Sequence, residues 1–372
     1  MASEVVELFT ELAALPSPPG EERAVADVVI RYLRDLGLSV DEDDAGQKVG
    51  SNIGNVYCRL EATDGGNPIF LCAHLDTVPP EGPIEPVIED GVVRNAAGTI
   101  LGADNKSAVA AMLEGTRRVL TENRPHGGIE LLFTPKEEVG LLGAAAFDLE
   151  RLQARLGYVY DQAAPISDVI LGAPYSRAMQ VRFHGRAAHS GMYPEEGRSA
   201  IAAAARAISD LRLGRIDEET TANVGIIRGG TAGNIIPEWC TLDAEARSHD
   251  ERKLDELVQE MVDAFSFAAG LEDCEVETKV SKSYKGYRFK QDDPVVRIAH
   301  AALEQSGYKP AYGLSGGAAD ANVFNEHGLA CLNLANGMQD IHTPDERITV
   351  ADLEGMVEVT LALVAAARDA DT

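Results

Sequence analysis

Leu71-Cys72-Ala73-His74-Leu75-Asp76 is an apolar run that ends in two side chains able to bind metal. Two later strings have the same form, Ile100-Leu101-Gly102-Ala103-Asp104-Asn105-Lys106 and Leu132-Phe133-Thr134-Pro135-Lys136-Glu137-Glu138. Asp161 follows Gly157-Tyr158-Val159-Tyr160, and His342 sits in Ile341-His342-Thr343-Pro344. Short apolar runs of this kind suit the strands of a sheet covered on both faces, in an α/β protein. Carboxylates and imidazoles without cysteine suit a hydrolytic zinc site, with one metal or two.

Each string also has a plainer reading. In a strand His74 and Asp76 point the same way, so Asp76 can accept a hydrogen bond from the ring nitrogen that does not bind metal. A His and an Asp at a strand end would look no different. Asp104 stands where an apolar strand hands over to a helix, the crevice position at which open α/β sheets bind ligands. A helix N-cap would also be an Asp. Glu137 and Glu138 are flanked by Leu131-Leu132-Phe133 and Val139-Gly140-Leu141-Leu142, so enclosing both is costly unless cations balance them. His342 and His189, the latter in Gly185-Arg186-Ala187-Ala188-His189-Ser190-Gly191, lie on loops and carry little weight singly.

With 372 residues and 45% hydrophobic content, two domains are expected rather than one. A formal charge of −27 repels phosphate backbones and anionic lipid, so neither nucleic acid nor membrane is an expected partner. The five cysteines form no Cys-x-x-Cys pair and read as buried thiols of a reducing compartment. The first residues are acidic where a signal peptide is basic, and no apolar run approaches the ~20 residues of a membrane span. A cytoplasmic location is the expectation. Phosphate-loop, dinucleotide and nucleophile-elbow motifs find no match.

Apolar spacing predicts helices over 3–14 and from Glu21 to about Leu36, with Gly37 as C-cap. It predicts strands over 55–60, 68–73, 129–134 and 158–160, and a hairpin turning at Asp90-Gly91. A helix is expected from just after Asp104 to about Leu120. After Pro174 the pattern changes to strands at 178–184, 222–227, 239–246 and near 274–280, with helices over 199–211 and 251–267. That is an α+β unit with helices on one face of an antiparallel sheet. Helix–strand alternation resumes beyond Lys285, and a last helix begins near Val350. One domain, 1–174 and 286–372, is thus interrupted by a second, 175–285.

Taken in order, these strings resemble the cocatalytic zinc hydrolases that include peptidase T, carboxypeptidase G and the aminoacylases, most of all the shorter peptidase T-like branch. The resemblance extends to Ser17-Pro18-Pro19-Gly20-Glu21-Glu22, Asp43-Asp44-Ala45-Gly46, Thr77-Val78-Pro79-Pro80, Gly233-Asn234-Ile235-Ile236-Pro237, Glu245-Ala246-Arg247-Ser248-His249-Asp250 and Ser315-Gly316-Gly317-Ala318-Ala319-Asp320-Ala321-Asn322. It implies a zinc exopeptidase-like catalytic domain with a central, mostly parallel mixed sheet, plus an inserted α+β lid and dimerisation domain. It implies two divalent metal ions per subunit, zinc first, with cobalt or manganese as alternatives. His74 and Asp161 would hold one, Glu138 and His342 the other, and Asp104 would bridge them through a residue whose following peptide bond is cis. Asp76 would orient His74, and Glu137 would be the general base. His189, Asn234 and Arg247 match substrate-contacting residues of the inserted domain, and in dimeric relatives the histidine reaches the neighbouring subunit's site. Asp161-Gln162 and Lys136 depart from the pattern at the rim without removing a ligand. Tripeptide aminopeptidase activity on short peptides is the implied function, in a homodimer. A carboxypeptidase, an N-acyl amino acid amidohydrolase and a catalytically silent binding relative are the alternatives.

Overall fold

The computed structural model describes residues 3–370 and divides into two compact units, one running Ala173–Tyr287 and the other ending at Gly172 and resuming at Arg288. In chain order the first unit contains helices α1 (Glu4–Ala13) and α2 (Arg23–Asp35), strand β1 (Val40–Glu42), helix α3 (Ala45–Val49), and strands β2 (Val56–Leu60), β3 (Ile69–His74), β4 (Pro86–Glu89) and β5 (Val92–Asn95). Next come α4 (Ala103–Thr121), β6 (Ile129–Thr134), α5 (Leu142–Ala146), β7 (Leu156–Val159) and β8 (Asp168–Ile170). The short strand β9 (Gly172–Ala173) marks the exit from this unit. The second unit holds β10 (Tyr175–His184), α6 (Ala200–Asp210), β11 (Gly214–Arg215), β12 (Thr220–Gly229), β13 (Trp239–Ser248), α7 (Glu251–Leu271) and β14 (Glu275–Tyr284). After β15 (Tyr287–Arg288) come α8 (Pro294–Gln305), β16 (Ala311–Gly313), α9 (Ala321–Glu326), β17 (Ala330–Leu334), β18 (Arg347–Thr349) and α10 (Val350–Asp369).

The large sheet of the first unit has eight strands in the order β1-β2-β6-β3-β7-β17-β8-β16. Its centre, β6-β3-β7-β17, is parallel throughout, whereas β1-β2, β2-β6 and β17-β8 are antiparallel. The fold is therefore α/β with a mixed sheet. Every residue of β3 and of β6 is buried, which is why these strands read as unbroken apolar runs rather than alternating ones. One apolar core, including Phe9 and Leu12 of α1, Val109 and Leu113 of α4 and Leu353 and Leu363 of α10, packs with the strand residues Leu71 and Leu131. The Asp90-Gly91 hairpin turn has positive φ at both residues, 51° and 77°, as a tight turn that follows the strand twist requires.

The second unit is an antiparallel sheet, β11-β12-β13-β10-β14, with its own core. Met179, Val181 and Phe183 of β10 and Cys240, Leu242 and Ala244 of β13 meet Ala203 and Ala207 of α6 and Leu254, Met261 and Phe265 of α7. The intervening Gln180 and Arg182 are exposed, the period-two pattern of a sheet covered on one face. Asp250 caps α7 by accepting from the Arg252 and Lys253 amides, and Ser199 caps α6. The sequence missed α3 and the short strands β8 and β16, which are too brief to show a period.

Parallel pairing places Gly157 of β7 opposite Phe70 of β3. A Cβ at Gly157 would lie 2.0 Å from Phe70 Cζ, and the Phe70 ring, fully buried, is held edge-on to Phe324 at 4.9 Å. Gly157→Ala is expected to lower stability by about 1–3 kcal/mol through overpacking, read as a lower urea midpoint. An unchanged midpoint would show that the ring has room to move.

Candidate metal centre

The three strands β6, β3 and β7 lie side by side, and their C-terminal ends deliver Glu137 and Glu138, His74, and Asp161 to one place. The connections are short: His74 is the last residue of β3, and Asp161 lies just past Val159, the end of β7. Asp104 comes from the first turn of α4, where its φ of −82° and ψ of 103° are not helical and its peptide bond to Asn105 is cis. His342 stands on the loop between β17 and β18 with a φ of 62°, a left-handed conformation uncommon outside glycine. Potential ligand atoms of His74, Asp104 and Glu138 lie within 4.8 Å of one another, and so do those of His74, Glu137 and Asp161.

Asp104 is the hub. Its Oδ1 is 3.1 Å from His74 Nε2, and its Oδ2 is 3.2 Å from His342 Nε2. Asp161 Oδ1 is 3.7 Å from His74 Nε2, and Glu138 Oε1 is 3.0 Å from His342 Nε2. The side chains thus form two sets, His74 with Asp161 and His342 with Glu138, each facing a different oxygen of Asp104. His74 Nδ1 is 2.9 Å from the Asp76 backbone carbonyl, which can only accept, so Nδ1 carries a hydrogen and Nε2 is the nitrogen that faces the cluster.

Asp76 faces the His74 ring through two groups. The partner of His74 Nδ1 is the carbonyl of Asp76, while the Asp76 carboxylate stands further off at 3.5 Å. β3 ends at His74, so strict strand alternation does not carry on to Asp76. Its carboxylate also accepts the amides of Glu137, 2.9 Å, and Glu138, 3.1 Å, and so fixes the turn that carries both glutamates.

Three supports escaped the sequence reading. Asn333 of β17 accepts the Asp161 amide at 3.0 Å and donates to its carbonyl at 2.9 Å. Glu346 accepts the amides of Leu101, Gly102 and Asp104. Glu22 accepts those of Gly20 and Lys136. A polar residue inside a buried apolar run, as in Cys331-Leu332-Asn333-Leu334, was the available signal. Lys106 is fully buried, donates to the Leu15 carbonyl at 2.5 Å, and is pushed down to about 7 by that burial.

The electrostatics of the cluster suit a cation. The side chains of Asp104, Glu138 and Asp161 are only 7, 9 and 8% exposed. Four carboxylates, Glu137 included, face two imidazoles, so the enclosed charge is negative unless protons or cations offset it. Burial pushes Asp161 up to about 7, with the Asp104 charge adding to it, and burial raises Glu137 well above its ordinary value. Burial also lifts Asp320 to about 6, although Thr134 Oγ1 donates to it at 2.6 Å. Burial alone would raise Asp104 and lower His74, but His342 and His74 reverse the first, and Asp104, Asp161 and Asp76 reverse the second. Oxygen and nitrogen donors with surplus negative charge fit divalent metal ions. His74, Asp161, Asp104, Glu138 and His342 would hold them.

The inserted-unit residues fall at two places. Gly191 and Met192 amides both donate to His189 Nδ1 at 3.2 Å, which leaves Nε2–H as the free donor. The Ser190 amide donates to the Asn234 carbonyl at 3.1 Å, so His189 and Asn234 are neighbours. Both are exposed and lie beyond the Trp239 end of β13, where His184 pairs with Trp239. Arg247 is at the other end, paired with Ser176, and its guanidinium meets Glu245 at 3.0 Å. Eight strand residues at ~3.3 Å each separate the two places by about 26 Å.

Without metal, protons must serve the cluster. Asp104 and Glu138 hydrogen bonds raise His342 from 6.5 to about 10. The stabilisation from its protonated form is complete below pH 6.5 and is lost as pH rises through 10. The raised Asp161 acts in the same direction, from its ordinary 3.8 up to about 7. The melting temperature of metal-free protein should therefore fall between pH 6.5 and 10, less so in His342→Gln, and the gain on adding a divalent cation should grow over that interval. A cation effect independent of pH would count against cation–proton exchange at this cluster.

Comparison with known proteins agrees with this geometry. Residues 172–271 match the model of a peptidase dimerisation domain, and residues 55–163 match that of peptidase family M28. The chain is 39% identical to protein YqjE of Bacillus subtilis (strain 168) over 360 residues, 97% of each chain. The crystal structure of aminopeptidase PepT from Bacillus cereus ATCC 10987 is 39% identical, with 98% of both chains covered and a TM-score of 0.88. That of a tripeptidase from Staphylococcus aureus subsp. aureus mu50 is 34% identical over 98% of both, with a TM-score of 0.93. With whole-length likeness of this degree, the chain belongs to the peptidase T-like branch of the M20 metallopeptidases.

Proposed function

We propose that this protein is a dizinc aminopeptidase of short peptides, a tripeptidase first of all. The observation that carries the reading is the pair of side-chain sets that share Asp104, one facing each of its oxygens. The S. aureus relative named a tripeptidase supports the substrate size. Two bound zinc ions would supply Lewis-acid polarisation of the scissile carbonyl and a more acidic water.

The chain's own residues do the rest. Asp76 grips the Glu137 amide, and so holds the glutamate beside the His74–Asp161 set while leaving its carboxylate free of that hydrogen bond. A carboxylate oxygen of Glu137 takes the proton of the attacking water and passes it to the leaving nitrogen. Its buried, negatively charged surroundings raise its basicity, which favours the first transfer. His189 would give its Nε2–H to the carbonyl oxygen, Asn234 would bind beside it, and Arg247 would pair a carboxylate of the substrate.

A tripeptide extends at most ~11 Å. The roughly 26 Å along β13 between the His189 and Arg247 places cannot be bridged by such a substrate. That length favours a homodimer in which His189 and Asn234 serve the neighbouring copy while Arg247 serves its own. The match to a peptidase dimerisation domain over 172–271 supports this.

Glu137→Ala should lower kcat by about 10²–10⁴-fold with metal content unchanged, and full activity would remove it as the base. Wild type should release the N-terminal residue of a tripeptide with three different residues, such as Leu-Gly-Phe, and leave its N-blocked form intact. Release of the C-terminal residue, or hydrolysis of N-acetyl amino acids, would make it a carboxypeptidase or amidohydrolase. No hydrolysis with zinc or cobalt restored after chelation would leave the silent binding relative. Sedimentation should give a dimer, and mixing Glu137→Ala with His189→Ala chains should restore part of the activity that each lacks. A monomer, or mixed dimers without activity, would refute the shared site.

A further inference from the structure

Glu346 is 2% exposed, and both its oxygens are spent on backbone. Oε2 accepts the Leu101 and Gly102 amides at 2.7 Å each, and Oε1 accepts the Asp104 amide at 3.0 Å. Gly102 reaches this arrangement with a φ of 79°, which favours glycine. The backbone of Glu346 belongs to the His342 loop. Gln339 and Arg347 close that loop with hydrogen bonds of 2.9 and 3.1 Å, the Glu346 amide donates to the Thr343 carbonyl, and Thr343 Oγ1 donates to the Asp340 carbonyl. One residue thus carries His342 on its chain and grips Asp104 with its side chain.

The other half of the centre is held independently. His74 ends β3 and donates Nδ1–H to the Asp76 carbonyl, while Asn333 holds Asp161 from both sides of its backbone. None of these supports passes through Glu346. We infer that Glu346 is a positioning residue that joins the Asp104 and His342 loops before any metal arrives, and that it governs cation retention on the Glu138–His342 side of the centre. The inference rests on the two-metal reading of this cluster.

The test compares wild type, Glu346→Gln and Glu354→Gln. Gln at 346 keeps one acceptor oxygen and turns its amide NH2 toward the backbone amides that the other oxygen held. Glu354 is exposed, so its variant makes the same charge change without that contact. Cobalt(II) is titrated against a chelator and followed by its absorption spectrum. Wild type and Glu354→Gln should hold two ions per chain. Glu346→Gln should weaken both ions, since Asp104 faces both sets, but the second, which also depends on the His342 loop, by about 10–100-fold and the first by less. Amide hydrogen exchange on the metal-free protein should show Leu101, Gly102 and Asp104 protected in wild type, and either the Leu101–Gly102 pair or Asp104 losing protection in Glu346→Gln.

Two ions bound by Glu346→Gln with wild-type affinity would overturn the inference, as would equal weakening of both ions. Exposed amides in metal-free wild type would overturn it too, since the loops would then not be joined beforehand. Wild type that takes up no cobalt would instead end the metal-centre reading itself. If Glu346→Gln does not fold, Glu346→Asp, one methylene shorter, takes its place under the same outcomes.

Discussion

The Asp104 carboxylate lies between two imidazoles, 3.1 Å from His74 Nε2 and 3.2 Å from His342 Nε2, and it is almost fully enclosed. A charge in that position is tolerable only with a counter-charge on each side. Because Glu138 and Asp161 crowd the same space, the two histidines alone leave the cluster negative. The fold has accordingly assembled a place that is poor for an empty protein and good for cations. The remainder of the first unit holds those groups where repulsion would otherwise drive them apart.

That holding is done mainly through the backbone. The parallel centre of the sheet sets β6, β3 and β7 side by side, so three apolar strands end at one crevice. Buried polar side chains then fix the loops beyond: Asp76 the glutamate turn, Asn333 the Asp161 segment, Glu346 the start of α4. Side chains that grip amides leave the metal-binding atoms unencumbered. The same division appears in the inserted unit, where two amides occupy His189 Nδ1 and leave Nε2–H free.

Much of this was legible in the chain. The all-buried strands β3 and β6 announced themselves as apolar runs, and the helices α6 and α7 were read to within a few residues of their bounds. The inserted unit showed itself after Pro174 as a run of strands with helices among them, the pattern of helices on one face of an antiparallel sheet. The family resemblance supplied the partition of ligands, which local pattern could not, since each string alone also fits a strand end, a helix cap or an acidic turn. The second task of Asp76, gripping the amides of the glutamate turn, was not legible because those amides lie 61 and 62 positions away. Glu346 and Asn333 were passed over because a lone Glu on a loop or Asn in a strand has no local signature of the amides it will meet.

The sequence by itself determined the types of the longer elements, the change of character after Pro174, and the pool of side chains from which a metal centre could be built. These depend on burial and periodicity over a few residues. Tertiary structure alone decided which oxygen of Asp104 faces which histidine, which residues steady the loops, and that His189 and Arg247 lie at opposite ends of one sheet. The contacts that settle these points join residues 61, 172 and 245 positions apart. Such pairings follow from strand order and loop closure, and no short stretch of chain records them.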